Sequence, residues 1–466
     1  MEDGMTRAGV LARWGAGLAD WCERWFPDAF VFALAAVVVV FLGGLALGEG
    51  PLSLAQAFGK GFWQLVPFTM QMAMVIVGGY ALAVSPPVHA LICRLARIPS
   101  TPRAAVGFVA FFSMMASLLS WGFSLIFSGL LVKEICARVK GVDVRAIGAA
   151  AYLGLGSIWA LGLSSSAALM MATPDSLPPA LKSLSGVIPL TSTLFIWQNG
   201  VLLLALVAVS VTVAMLSCPP PSRARTAEDL GVELSPPGML SQSSGKALVA
   251  PSTTRPADLA EDSPLLPVVV ALLGLTYLGH LFCSKGLLQA LDLNTYNLLF
   301  LMLALLLHKR PRSFLKAVAG AVPATGGVLV QFPFYGGIFG IITGTAIAPF
   351  LADAFAGLST PATFPLLVAL YSALLGLFVP SGGGKWVIEA PYVLAAAQVH
   401  AVDPGWVVQI YNAAEALPNL VNPFWMLPLM GLLGIRAREL AGYSILQLLI
   451  HVPLVFLLCW ALSFTF

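Results

Sequence analysis

Apolar runs of spanning length recur along the chain at residues 30–47, 62–84, 146–172, 194–216, 265–283, 295–307, 317–348, 406–430 and 443–462. A bilayer admits helices or closed barrels, and a spanning helix needs about 20 apolar residues, so the pattern predicts an all-α polytopic membrane protein with about nine spans. Two further apolar stretches, 104–132 and 364–397, are interrupted near their middles, the first by Trp121-Gly122 and the second by Pro380-Ser381-Gly382-Gly383-Gly384-Lys385. Such a break frees backbone N–H and C=O groups at bilayer depth, where only protein, enclosed water or a ligand satisfies them. Each interrupted stretch is therefore both a candidate hairpin and a candidate binding element.

Charge places these stretches. Arg94, Arg97 and Arg103 precede the first, and Lys133, Arg138, Lys140 and Arg145 follow it, so the excess of cytoplasmic Lys and Arg expects both its ends in the cytoplasm. The second is flanked by 351–363 and 398–405, which lack Lys and Arg, and is expected to dip in from outside. Carried along the chain, Lys60, Lys182 and Lys285 fall outside, Lys385 sits on a hairpin, and the other basic residues are cytoplasmic. This map expects a cytoplasmic N-terminus, an external C-terminus and two re-entrant hairpins entering from opposite faces.

Composition narrows the class further. At 59% hydrophobic and 10% charged residues, with mean hydropathy +0.90, the chain is too apolar for a soluble core and shell. The net charge of +3 comes from basic loops and speaks to topology, not to a nucleic-acid partner. Cys22, Cys93, Cys136, Cys218, Cys283 and Cys459 form no C-x-x-C pair, so neither a disulfide framework nor a metal site is indicated and they read as buried small hydrophobes. Residues 1–29 carry Glu2, Asp3, Asp20, Glu23 and Asp28, a long and acidic preface for a cleaved signal, and are read as a cytoplasmic segment before a retained first span.

An internal repeat follows from the same map. Gln71 and Gln331, Ser113 and Ser372, and Asp143 and Asp403 pair at offsets of 260, 259 and 260, with interrupted elements at matching places. The expected organisation is a first membrane repeat over 30–216, a disordered cytoplasmic linker over 217–264, a connecting span at 265–283, and a second, inverted repeat over 284–466. The linker assignment rests on its many Pro and Ser residues. Inverted repeats with interrupted helices are a recurrent construction of secondary transporters, with substrate held where the halves meet.

The candidate chemistry lies at the breaks. Ser120, Trp121 and Gly122 form the first hairpin tip, and its partner span carries Ser164, Ser165 and Ser166, whose alternative role is back-bonding to their own helix. Ser381, Gly382, Gly383 and Gly384 form the second tip, where a half-helix would aim its positive dipole end at an anion. Lys385 either neutralises that anion or snorkels to the outer surface, and Glu389 is expected near the exit surface. In the matching span, Pro418 and Pro423 free carbonyls, while Asn419 and Asn422 offer polar side chains. Glu415 is the intramembrane carboxylate expected to mark an ion or proton path, with Asn419 beside it. No Walker loop, H-E-x-x-H or G-x-S-x-G motif is present, and no cofactor is expected.

At Gln331-Phe-Pro-Phe-Tyr-Gly-Gly337, Val379-Pro-Ser-Gly-Gly-Gly-Lys-Trp-Val-Ile388 and Asn422-Pro-Phe-Trp425, with Trp121-Gly-Phe123 and Ala172-Thr-Pro174 in the first half, the chain resembles the bacterial short-chain fatty acid transporter family, the AtoE family. The resemblance implies a branch of the ion-transporter superfamily, with inverted repeats, two re-entrant hairpins and elevator-type movement of hairpin-bearing domains on an oligomeric, homodimeric scaffold in the inner membrane. It further implies uptake of short monocarboxylates such as butyrate or acetoacetate with a coupling ion, a proton or sodium. Gln331 joins the candidate substrate-binding set on this basis. The chain departs from the family pattern at two places: Lys385 stands where His is more frequent, and Ser164 to Ser166 replace a more Gly-rich run. The alternatives are a dicarboxylate or cation/proton exchanger on the same fold, or a polytopic lipid-modifying enzyme.

Overall fold

The computed structural model describes residues 29–232, 234, 255–379 and 381–466. The expected segment 1–29 therefore lies outside it save for Ala29, as do Pro380 of the second hairpin tip and most of the interior of the linker. The described chain is helical throughout. Its first half runs α1 Ala29–Ala46, α2 Pro51–Phe62, α3 Val66–Ala83, α4 Pro86–Leu95, α5 Pro102–Leu119, α6 Trp121–Cys136 and α7 Val144–Leu153. The chain then unwinds through a π turn, Gly154–Ile158, and a 3-10 turn, Trp159–Leu161, before α8 Ser166–Ala172, α9 Pro179–Ser185 and α10 Trp197–Ser217. Three helices connect the halves: α11 Pro256–Asp262, α12 Leu265–Lys285 and α13 Leu287–Ala290.

The second half repeats the order of the first. A spanning-type helix, α14 Leu293–His308, is followed by short α15 Pro311–Ala321, long α16 Gly326–Gly344 and short α17 Ile347–Leu358. Then come the two arms α18 Phe364–Phe378 and α19 Gly382–Val399, the interrupted pair α20 Pro404–Asn419 and α21 Pro423–Leu433, and α22 Ala437–Leu462. The capping chemistry recurs as well. Ser120 and Ser381 are both extended single residues whose hydroxyls accept from the N–H three residues on, Phe123 at 3.3 Å and Gly384 at 3.2 Å. Asp143 and Asp403 each cap the following helix in the same way.

Seven runs among the described residues are long and apolar enough to cross a membrane, and 33–46, 293–308, 347–358 and 364–377 are shorter apolar helices. The structure differs from the sequence reading in two respects. The apolar run 317–348 divides at Pro323 into α15, a 3-10 turn and α16, and short helices α2, α4 and α17 appear where the sequence showed only run ends. The second is the linker, whose described ends are docked. Arg225 N–H donates to Asp143 Oδ2 at 2.9 Å, Val144 N–H donates to the Arg225 carbonyl at 2.9 Å, and Arg312 reaches Asp258 and Glu261 of α11 at 2.7 and 2.8 Å. Composition could not show this, because the partners are an N-cap carboxylate and an arginine distant in sequence.

Helices α10, α12 and α22 present apolar flanks such as Leu204, Leu273 and Leu457 to the outside, as lipid-facing helices do. Residues Gly382 to Leu394 of α19 and Gly405 to Asn419 of α20 are instead buried without exception. Around them the halves interlock: α16 packs on α2, α14 on α3, and the π turn on α5 and α20. The α2–α16 crossing needs glycine, since a Cβ on Gly61 would stand 2.6 Å from the Gly340 Cα. Two interrupted segments are thereby brought to the centre of the molecule.

Candidate functional site

The second tip is wedged among five elements. A Cβ on Gly382 would lie 2.5 Å from Trp159 Cη2 and 3.4 Å from Glu415 Oε2, and one on Gly383 would lie 2.6 Å from Phe68 Cζ and 3.0 Å from Ser166 Cβ. On Gly384 it would collide with the Tyr335 ring. The three glycines thus admit the backbone to a space that side chains from α3, α8, α16, α20 and the unwound segment already fill. The structure brings Ser166, Glu415 and the tip together.

The first tip is tied to the serine run. Trp121 N–H donates to Ser164 Oγ at 2.6 Å, and Ser165 Oγ donates to Asn412 Oδ1 of α20 at 3.0 Å while accepting from Ala168 N–H. Ser164 and Ser165 therefore both bond across elements, and Ser165 also caps its own helix, α8. Gly122 differs from the second-tip glycines, since a Cβ there meets nothing within 4 Å. Gln331 is half-buried on α16 and accepts from Tyr335 Oη at 3.3 Å, one turn before the ring that packs on Gly384. Asn422 lies in the break between α20 and α21, its N–H donating to the Pro418 carbonyl at 3.1 Å.

Lys385 is fully buried and turned inward. Its ammonium donates to the Ser372 carbonyl on α18 at 2.6 Å, stands 3.7 Å from Glu389 Oε1, and lies 4.8 Å from the Tyr411 ring centre. Ser372 Oγ donates to Glu389 Oε2 at 2.7 Å, so one serine holds both members of the pair. Neither surface expectation survives. Lys385 does not snorkel, and Glu389 is 0% exposed, because α19 is enclosed by α16, α17 and α20 along this length. Sequence reasoning missed Glu389 as a member of the site, since a Lys and Glu four residues apart read equally as an exposed pair.

Glu415 is 1% exposed and its Oε2 has no hydrogen-bond partner among the described residues; the same holds for Asn419 Oδ1, one turn along the same helix face. Two phenols occupy nearby carbonyls, Tyr411 Oη donating to Gly382 O at 2.5 Å and Tyr152 Oη to Asn419 O at 2.6 Å. One ammonium and two carboxylates are thus enclosed at the junction of two broken elements. Such groups are costly to bury, and in membrane proteins they mark substrate and ion paths. A polytopic helical protein with interrupted helices meeting at a buried charged centre belongs, as a class, to the membrane transporters.

The comparisons with known proteins place the chain within that class. Residues 10–463 match the family model described as short chain fatty acid transporter, and the chain belongs to that family. A protein of Escherichia coli K12 that carries the provisional name short-chain fatty acid transporter is 34% identical over 441 residues, covering 94% of this chain and 97% of its own length. One from Haemophilus influenzae with the same provisional name is 32% identical over 460 residues, covering 96% and 98%. Among solved structures, the Alcanivorax borkumensis YdaH transporter, described as having an unusual topology, aligns with TM-score 0.59 at 15% identity over 92% of this chain and 98% of that one. Neisseria gonorrhoeae MtrF, described among antimetabolite efflux pumps, aligns with TM-score 0.56 at 14% identity over 96% of each chain. These two show the fold. The family and its named relatives indicate a transporter and not an enzyme.

Proposed function

We propose that this protein takes up short-chain fatty acids, butyrate- and acetoacetate-like monocarboxylates, across the bacterial inner membrane, coupled to a proton or sodium gradient. The observation that carries the reading is the enclosed Lys385, among the described residues the one buried cation beside Glu389 and Glu415 at the second tip. That ammonium is already paired with Glu389, so a substrate carboxylate joins it with a coupling proton or sodium at Glu415 offsetting the added negative charge. A dicarboxylate would ask for a second cationic group, which the described surroundings of the tip do not hold. Ser120, Trp121, Gly122, Ser164, Ser165, Ser166, Gln331, Ser381, Gly382, Gly383, Gly384, Lys385 and Asn422 form the proposed substrate site, and Glu415 with Asn419 the proposed coupling site. The unpartnered oxygens of those two residues, one turn apart, suit a proton or a sodium ion.

In this reading the recurring helix order is an inverted repeat, the two helical hairpins are re-entrant, and the hairpin-bearing half of each repeat moves by an elevator step against a homodimeric scaffold. Counterflow of labelled butyrate in proteoliposomes, with and without sodium and a pH gradient, tests it. Counterflow that unlabelled butyrate drives, and that one gradient converts to accumulation, is expected. Absence of counterflow in folded protein sinks the reading.

A further inference from the structure

Away from the tips, His89 and Cys93 stand one turn apart on α4, and Glu134 faces them from α6. One ligand atom from each lies within 4.8 Å of the others, the one such group of three found among the described residues. His89 Nε2 is 3.7 Å from Cys93 Sγ. Tetrahedral zinc holds nitrogen at about 2.0 Å and sulfur at about 2.3 Å, which sets those two ligand atoms about 3.5 Å apart. The observed pair is already near that spacing. His308 and His451 have both ring nitrogens engaged by neighbours, with Ser313 and Ala81 for one and Ser210 and Gln447 for the other; His89 instead directs Nε2 at a thiol.

We propose that His89, Cys93 and Glu134 form a zinc site that joins α4 to the second arm of the first hairpin. Thiolate, imidazole and carboxylate together favour a borderline-soft cation of the zinc type over sodium, magnesium or calcium. Arg138 engages one Glu134 carboxylate oxygen and the Glu134 backbone carbonyl, leaving the second oxygen for the metal. Three protein ligands leave a fourth position for water, the arrangement of an open site and not of a closed structural one. His89 and Cys93 are each partly exposed, so an ion reaches them without unfolding the helix. Binding deprotonates Cys93, so affinity rises with pH. Because the metal bridges α4 and the hairpin arm, it restrains their relative movement; this consequence rests on the transport reading above, whereas the site does not.

The test uses full-length protein purified without a polyhistidine tag, in detergent, with zinc and with cobalt as a spectroscopic stand-in. Saturable binding of one zinc per chain is expected, with a thiolate-to-cobalt charge-transfer band that Cys93→Ser abolishes. His89→Ala and Cys93→Ser should each weaken zinc binding about tenfold or more, with Glu134→Gln weaker in effect. Size-exclusion profiles identical to wild type exclude misfolding in these partly exposed positions. No charge-transfer band, or equal zinc binding in wild type and Cys93→Ser, overturns the site. In proteoliposomes, zinc should slow butyrate counterflow by wild type and not by Cys93→Ser. Bound zinc without slowing overturns the restraint and leaves the site, and absent counterflow in both refutes the transport reading instead.

Discussion

The Lys385 ammonium and the Glu389 carboxylate, 3.7 Å apart and both fully buried, are held together by Ser372, whose carbonyl takes the ammonium and whose hydroxyl donates to the carboxylate. An ion pair in such a place gains little over well-packed apolar side chains, but removing one member strands the other. Breaking a buried pair costs about 3–5 kcal/mol. The pair therefore constrains what the second hairpin tolerates before any question of substrate arises.

Lys385→Met should lower the thermal unfolding midpoint of the purified protein strongly, since it leaves Glu389 buried without its cation. Glu389→Gln should cost less, because the Ser372 carbonyl still accepts from the lysine. The double variant should recover most of the Lys385→Met loss while failing to bind butyrate. Two single variants as stable as wild type would mean that the pair is hydrated and open, contrary to its 0% exposure.

The glycines of the two tips should respond unequally to substitution. Gly383→Val places carbon against Phe68 and Ser166, at positions where even a Cβ stands 2.6 and 3.0 Å away, and should abolish uptake while the protein still reaches the membrane. Phe68→Ala in the same chain should restore part of the uptake by opening that space. Gly122→Ala, which meets nothing within 4 Å, should fold and insert as wild type does and lose less uptake than Gly383→Val. Equal loss at Gly122 and Gly383, read as uptake per membrane-inserted protein, would separate the glycine requirement from packing.

Topology is checked from the charges. Single cysteines at positions 100 and 140, in a background lacking the native cysteines, should both react with an impermeant maleimide from the cytoplasm alone. The first arm, Pro102–Leu119, is by itself 18 residues and apolar enough to span, so its length does not decide the matter. Labelling of position 140 from outside would make that arm a full span and remove the inversion of the second half.

The interrupted elements were legible because Pro, Gly and Ser stand out in runs otherwise built of Leu, Val, Ala and Phe, and because Lys and Arg sort the ends of those runs. Short helices were not. At 12, 10, 11 and 12 residues, α2, α4, α15 and α17 abut longer apolar runs and vanish into them, although Pro51, Pro86 and Pro311 mark the starts of three. Glu389 was misplaced for a different reason. A lysine and a glutamate four residues apart on one helix resemble an exposed pair, and only the enclosure of α19 by α16, α17 and α20 buries them. The His89, Cys93 and Glu134 cluster was invisible because its third member comes from a helix about 40 residues on, brought over by the fold.

Coupling turns on Glu415. Its Oε2 is buried without a hydrogen-bond partner among the described residues and lies 3.4 Å from where a Gly382 Cβ would stand, so its charge borders the tip that is proposed to hold the substrate. Glu415→Gln keeps the volume and a polar head but removes the ionisation. Butyrate exchange should survive, because the geometry around Gly382, Ser166 and Lys385 is retained, while accumulation against a gradient should fail. Measured in the same proteoliposomes, exchange and accumulation separate the two roles within one preparation. If the variant still accumulates butyrate at the wild-type level, the coupling ion sits elsewhere, and Asn419 with the serine run at Ser164 to Ser166 becomes the place to search. Loss of both exchange and accumulation would instead assign Glu415 to substrate binding, with the ammonium of Lys385 as the group it orients.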